Sequence, residues 1–241
     1  MVFGRRQQPP GGKPQQPRPA QPVRAVEAPP LQAAAPEDVR INVVTAAKEF
    51  IALLMVEYDS GGGRVHAETA IGAAAALTGE FAQRSTGLPI PEDKPKYVFG
   101  DAINDVLYEG ADEGRATIWK MYEHAALKAG VPKADMPEPI EVIKNVVGSI
   151  GGPDFPPLTV PKQHYPREWS PNACVRLRPR IVAIADRCDL SRRELFVALA
   201  MATGCLFDLT KNVLPPAIGM RLATEITFGV AKMTPLNRVF G

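Results

Sequence analysis

Proline placement constrains this chain more than any other feature: of its 25 prolines, nine lie in residues 1–36 and six in residues 151–171. Proline lacks an amide donor and crowds the preceding helical turn, so neither stretch reads as helix, and neither alternates as a strand would. Residues 1–36 also hold six glutamines and one aromatic residue, Phe3. Such a segment cannot bury enough apolar surface to offset the entropy of ordering it. It reads as a disordered Pro/Gln/Arg-rich arm with polyproline character, and residues 37–241 as the folded domain. Residues 151–171 read either as a wrapped loop or as a divider between subdomains, because structureless segments beyond about 15 residues are uncommon in compact domains. Phe155, Leu158, Tyr165 and Trp169 suggest a loop pinned to the surface.

Outside these stretches the apolar residues recur at helical spacing. Val39, Val43, Ala47, Phe50, Leu54 and Tyr58 form one stripe. Residues 51–56 are apolar all round, which predicts a central helix covered on more than one side. Three glycines at 61–63 end it. Residues 66–85 are alanine-rich, and Gly72, Ala75, Ala76 and Gly79 give them a smooth face for close helix approach. Further helices are predicted over 97–109, 112–129 and 140–150, with Gly130 and Pro132 as a stop signal. Pro171 or Pro179 marks the next start, ahead of a stripe of Ile181, Ile184, Ala185 and Cys188. Ser191 and Glu194 have capping-box spacing and open a helix to about Lys211. Pro215 and Pro216 open the last, with Ile218, Leu222, Ile226 and Phe228 or Val230 inward. No run alternates and no period repeats. The expected fold is all-α, one domain of seven or eight helices.

Charge narrows the partners. The chain carries +2 and residues 1–36 carry +4, so residues 37–241 carry −2 and the folded part is not basic. Within it, residues 162–193 have a balance of +5 and residues 92–141 a balance of −5. Matched magnitudes of opposite sign suggest that these regions face one another, within or between subunits. The alternative is a nucleic-acid or anion surface made by Arg167, Arg176, Arg178, Arg180, Arg187, Arg192 and Arg193, with Tyr165 and Trp169 as stacking platforms. Cys174, Cys188 and Cys205 fit neither a disulfide framework nor a metal knuckle and read as buried thiols. No secretory signal or membrane span is visible, which makes a cytoplasmic location the expectation.

Catalytic motifs are incomplete. His66-Ala67-Glu68 resembles the first half of the zinc nucleobase-deaminase signature, in which H-x-E at a helix start binds metal and shuttles protons. The second half, P-C-x-x-C, is missing, and a glutamate in a first helical turn is accounted for by the helix dipole. The glycines at 61–63 lack the Gly-Lys-Ser/Thr of a phosphate loop. Asp101, Asp105 and Glu109 recur every four residues, opposite Phe99, Ile103, Val106 and Leu107, as in an amphipathic helix with a solvated acidic face. His124 and His164 read as surface residues, and there is no nucleophile elbow. No catalytic residue, metal ligand or cofactor is assigned. The expected function is a non-catalytic interaction or adaptor protein that engages a protein partner or itself. A nucleic-acid-binding module and an enzyme with a helix-lined small-molecule pocket are the alternatives.

Overall fold

Three consecutive backbone positions at positive φ, 101°, 71° and 73° at Gly61, Gly62 and Gly63, turn the chain sharply between its first two helices. Only glycine adopts such a run without steric cost. The structure, a computed structural model, describes residues 39–89, 97–98, 100–109 and 116–238; the arm proposed for residues 1–36 lies outside them. The described residues are all-α, with eight helices: α1 (Val39–Glu57), α2 (Ala67–Ser85), α3 (Asp101–Leu107), α4 (Ile118–Lys128), α5 (Pro139–Gly148), α6 (Pro171–Arg187), α7 (Arg192–Leu209) and α8 (Pro216–Ala231).

The centre is α2, sixteen of whose nineteen residues are buried. It packs chiefly against α8 and α7, then against α6, α1 and α3, while α4 lies on α7 and α8 and α5 lies on α8. Its small side chains make this possible. A Cβ on Gly79 would sit 2.5 Å from the Thr227 carbonyl oxygen and 3.0 Å from the Ala231 nitrogen, and one on Gly72 would sit 2.7 Å from Ser170 Oγ. Neighbouring backbones therefore occupy the space that side chains would fill. Around this contact Phe50, Ile71, Leu77, Ile103, Leu107, Leu177, Phe207 and Phe228 are almost wholly buried.

Close approach brings polar groups inside, and among the described residues every buried side-chain polar atom except Gln83 Oε1 has a hydrogen-bond partner. Thr227 Oγ1 donates to the Ala75 carbonyl at 3.0 Å and pairs with Tyr122 Oη at 2.9 Å. Thr78 donates to the Ala74 carbonyl at 2.8 Å and meets Thr203 at 3.1 Å. Hydroxyls from α2, α4, α7 and α8 thus form one dry cluster, which avoids the penalty of a buried group without a partner. Burial raises the Tyr122 phenol above its ordinary range, against the lowering effect of its threonine neighbours.

Residues 151–170 wrap the surface and are pinned. Phe155 is buried, Trp169 Nε1 donates to the Phe155 carbonyl at 2.9 Å, and Tyr165 Oη donates to the Leu158 carbonyl at 3.0 Å. Thr159 donates its amide, at 3.0 Å, and its hydroxyl to the carboxylate of Glu225 on α8, which is itself buried.

Several expectations change. The second half of α1 is not central: Val56 is 73% exposed. Its apolar character all round does not draw neighbours to every side, because the small-residue helix α2 lets more helices converge. Of the cysteines only Cys174 is buried, Cys188 being intermediate and Cys205 exposed. The helix predicted over 97–109 is shorter, and Tyr97 instead bridges to Met233. The helix predicted from 112 begins at Ile118, and Asp112 and Glu113 lie outside the described residues. Pro171, rather than Pro179, starts α6, and Pro179 sits inside it.

Gly79→Ala is expected to cost about 1 to 3 kcal/mol of unfolding free energy through overpacking against Thr227, read by urea denaturation. Gly148→Ala, whose Cβ would meet nothing within 4 Å, is expected to gain up to about 1 kcal/mol in the same assay. A third expectation concerns pH. Burial holds the Glu225 carboxyl above its ordinary range, against the lowering effect of Thr159. The folded state then keeps this proton more tightly than the unfolded chain does. Its contribution to stability is fully present below the ordinary carboxylate range and is lost as pH rises through the raised value. Glu225→Gln, able to keep both Thr159 contacts, is expected to melt at or above the parent temperature at neutral pH and to lose that advantage in acid, measured by thermal melts across a pH series.

Candidate functional site

The turn into α2 places the half-complete deaminase motif. Asp59 and Val65 pair across the glycines, and His66 lands at the N-cap of α2. Its Nδ1 accepts the Thr69 amide at 3.3 Å and meets the Thr69 hydroxyl at 2.8 Å. An accepting Nδ1 leaves the neutral ring's proton on Nε2, which faces Glu68 Oε2 at 3.5 Å. The other oxygen, Glu68 Oε1, lies 3.0 Å from Nδ1 of His164. A carboxylate only accepts, so His164 Nδ1 donates, and its Nε2 lone pair turns to the Gln163 side-chain amide at 3.3 Å.

Glu68 therefore bridges two imidazoles, and its side chain is only 12% exposed. The reading of His164 as an isolated surface residue is corrected: residues 161–170 fold over the start of α2, and the Arg167 amide donates to Thr69 Oγ1 at 2.9 Å. An imidazole oriented by a carboxylate, with its far nitrogen unprotonated, has the form of a general base. Its far nitrogen here meets an amide and not a nucleophile. Among the described residues no group of three or more His, Cys, Asp or Glu side chains is arranged to hold a metal ion. His66 and Glu68 act as a helix cap and a clasp for the loop.

The basic region is compensated, but by different acids from those expected. Arg176 pairs with Glu57 and, at 3.0 Å, with Glu168, and stands 5.8 Å over the Tyr58 ring. Arg180 meets Glu57 at 2.9 Å, and Arg187 pairs with Glu49. Arg178 holds Glu80 through Nε at 2.5 Å and Nη2 at 2.8 Å, and also donates to the Leu236 carbonyl at 2.9 Å. The partners described are on α1, α2 and the loop, where residues 92–141 were expected. Helices α1 and α2 pack beside α6, so their carboxylates are the ones within reach.

Glu80 is almost wholly removed from water, and Tyr58 beside Glu168 is partly so. Tyr58 Oη donates to Glu168 at 2.5 Å, and burial followed by the Glu168 bond and charge pushes its phenol far above the usual range. Glu80 is 2% exposed and also takes Arg84 Nε at 2.8 Å. The Cys174 thiol beside it is raised well above its ordinary value, by burial first and then by Glu80.

The other residues named from the sequence stay outside. Tyr165 and Trp169 are 37% and 38% exposed, Arg167, Arg192 and Arg193 are exposed, and none of these three arginines has an ion-pair partner among the described residues. His124 is exposed as expected. On the acidic stripe, Asp101 and Glu109 are exposed, yet they are not simply solvated. Their charges support the Lys232 ammonium, which burial otherwise pushes below its ordinary range and which donates to Asn104 Oδ1 at 2.6 Å.

A surface that sequence reasoning missed lies on α1. Ile41 and Val56 are each 73% exposed and Val44 39%, and Ala52 is exposed between them. Positions 41, 44, 48, 52 and 56 fall within one helical face about 22 Å long, with Lys48 as its single charge. The opposite face, Val43, Ala46, Phe50, Leu53 and Leu54, is buried. The signal in the sequence is the apolar run at 51–56, which by itself implies burial.

Comparison with protein-family models, with curated proteins and with solved structures finds no match for this chain. No helix among the described residues is long and apolar enough to cross a membrane.

Arg178→Ala, which leaves a buried carboxylate half-compensated, is expected to cost about 2 kcal/mol in urea denaturation. Arg180→Ala, whose side chain is 51% exposed, is expected to cost less than about 1 kcal/mol. Equal losses for the two would contradict this ranking of the ion pairs.

Proposed function

We propose that this protein is a non-catalytic interaction module whose helical body docks a protein partner along the outer face of α1. The observation that carries the reading is the pairing of Ile41 and Val56, each 73% exposed, with Val44 and Ala52 on one continuous helical face. Single exposed apolar residues are ordinary, whereas a contiguous apolar patch on a soluble domain marks a contact site. The helix that presents it is held by Phe50 and Leu54 beneath and by the Glu49–Arg187 and Glu57–Arg180 pairs at its flanks. A face held in this way loses little conformational entropy on binding.

Lys48 chooses between partners. Two copies of α1 crossed antiparallel about the middle of this face would bring Lys48 against Lys48, and like charges face to face disfavour the pair. A different protein, carrying an apolar helix face with a carboxylate opposite Lys48, fits better. The nucleic-acid alternative is weakened by neutralisation of Arg176, Arg178, Arg180 and Arg187 within the fold. It rests on Arg167, Arg192 and Arg193 with Tyr165 and Trp169.

The test is a pull-down from the native cell extract combined with light scattering. The unmodified chain is expected to retain a partner that Ile41→Glu with Val56→Glu releases, while Val213→Glu, at an equally exposed valine elsewhere, keeps it. The same partner retained by the α1 double variant would overturn the proposal.

A further inference from the structure

A cavity of about 410 Å³ opens between the end of α3, α4 and the start of α5. It falls in the size range of small-molecule sites. Its walls combine apolar and charged groups: Trp119, Met136, Pro137 and Ile140 supply the first, and Lys133, Glu138 and Glu109 the second. The charges are not equivalent. Lys120 and Glu123, which also line it, are spent on each other at 3.0 Å. Glu109 accepts the Tyr108 hydroxyl at 2.9 Å and helps hold the Lys232 ammonium, and Tyr108 is pushed up to about 12 by burial, then by Glu109. Lys133 and Glu138 remain. Among the described residues neither has an ion-pair or hydrogen-bond partner through its side chain, and both are exposed.

The local backbone explains why they stay apart. Pro132 caps the single 3-10 turn that carries Lys133, and Glu138 stands immediately before Pro139, the first residue of α5. Both termini are stiffened by proline, so the two charges are presented from fixed backbone on either side of Met136 and Pro137. Among the described lining residues, one unpaired cation, one unpaired anion and the apolar side chains of Trp119 and Met136 complement a ligand with both charges and an apolar body.

We infer that this cavity binds a small zwitterion with an apolar side chain, of the amino-acid class, its ammonium toward Glu138, its carboxylate toward Lys133 and its apolar body against Trp119 and Met136. Two singly charged ligands of the same body would each satisfy one wall and leave the other charge bare. The inference is independent of the docking face on α1, which lies on another element.

Phenylalanine, phenethylamine and 3-phenylpropionate share one apolar body and differ in charge, and they serve as probes against the full chain by titration calorimetry. Phenylalanine is expected to bind saturably and about threefold or more tighter than either analogue. Glu138→Gln should weaken phenylalanine and phenethylamine and leave 3-phenylpropionate unchanged, and Lys133→Gln should do the reverse. The chain has two tryptophans, so in Trp169→Phe the remaining fluorescence reports Trp119, and phenylalanine should change it with the calorimetric affinity. Absence of saturable phenylalanine binding, equal affinities for the three probes, or affinities untouched by both charge variants would each overturn the inference.

Discussion

The approach of α8 to α2 is the contact on which the rest of the structure depends. At Gly79 the two backbones come so near that a methyl group would fall 2.5 Å from a carbonyl oxygen. Small side chains remove apolar area from the core, so the loss has to be recovered by dispersion between backbones at close range and by larger residues packed outside them. Phe207 and Phe228 do this, with Tyr122 edge-on to Phe207 at 5.7 Å. The same closeness lets Thr227 reach a carbonyl of α2, and the hydroxyl cluster follows from that geometry.

Outside this dry centre lies a shell of ion pairs, and its logic is local. Helix α6 brings a row of arginines to the surface between α1 and α2, and each takes the carboxylate that packing has put beside it. Glu80 is the one acid in the row that is nearly removed from water, and it has two guanidinium partners. The remaining pairs are exposed enough for solvent to screen them, so they position α1 more than they stabilise it. Residues 151–170 close the arrangement through Glu68, Glu168 and Glu225, three carboxylates on or contacting three different elements. A loop held at so many points behaves as part of the scaffold.

These features shape the functional reading. Four of the seven arginines offered as an anion surface are paired within the fold, and His66 and Glu68 cap a helix and clasp a loop. Among the described residues the uncommitted surface includes an apolar helix face on α1 and a cavity beside α5 with one unpaired charge of each sign, besides the exposed Arg167, Arg192 and Arg193. Neither the face nor the cavity includes the residues that resemble enzyme motifs, and each is a matter of what packing left uncovered.

Much of the architecture could be read from residue order alone, because it depends on periods and caps that neighbouring residues set. The all-α class, the Ser191–Glu194 capping box, the proline start of α8 and the smooth face of α2 are of this kind, whereas the start of α6 stayed open between Pro171 and Pro179. Helix ends near 97–118 were harder, since glycine and acidic residues there carry no strong stop. Pairings across the chain were not legible: His164 meets Glu68 from 96 residues away, and Arg178 meets Glu80 from 98. Total charge said that the basic stretch would be balanced, but only the packing of α1 and α2 beside α6 decided which acids do it. Likewise an apolar run at 51–56 announces a helix and not its depth. Burial is settled by how many neighbours can converge on a helix, and here the bulk of α1 and the smallness of α2 gave the central place to α2.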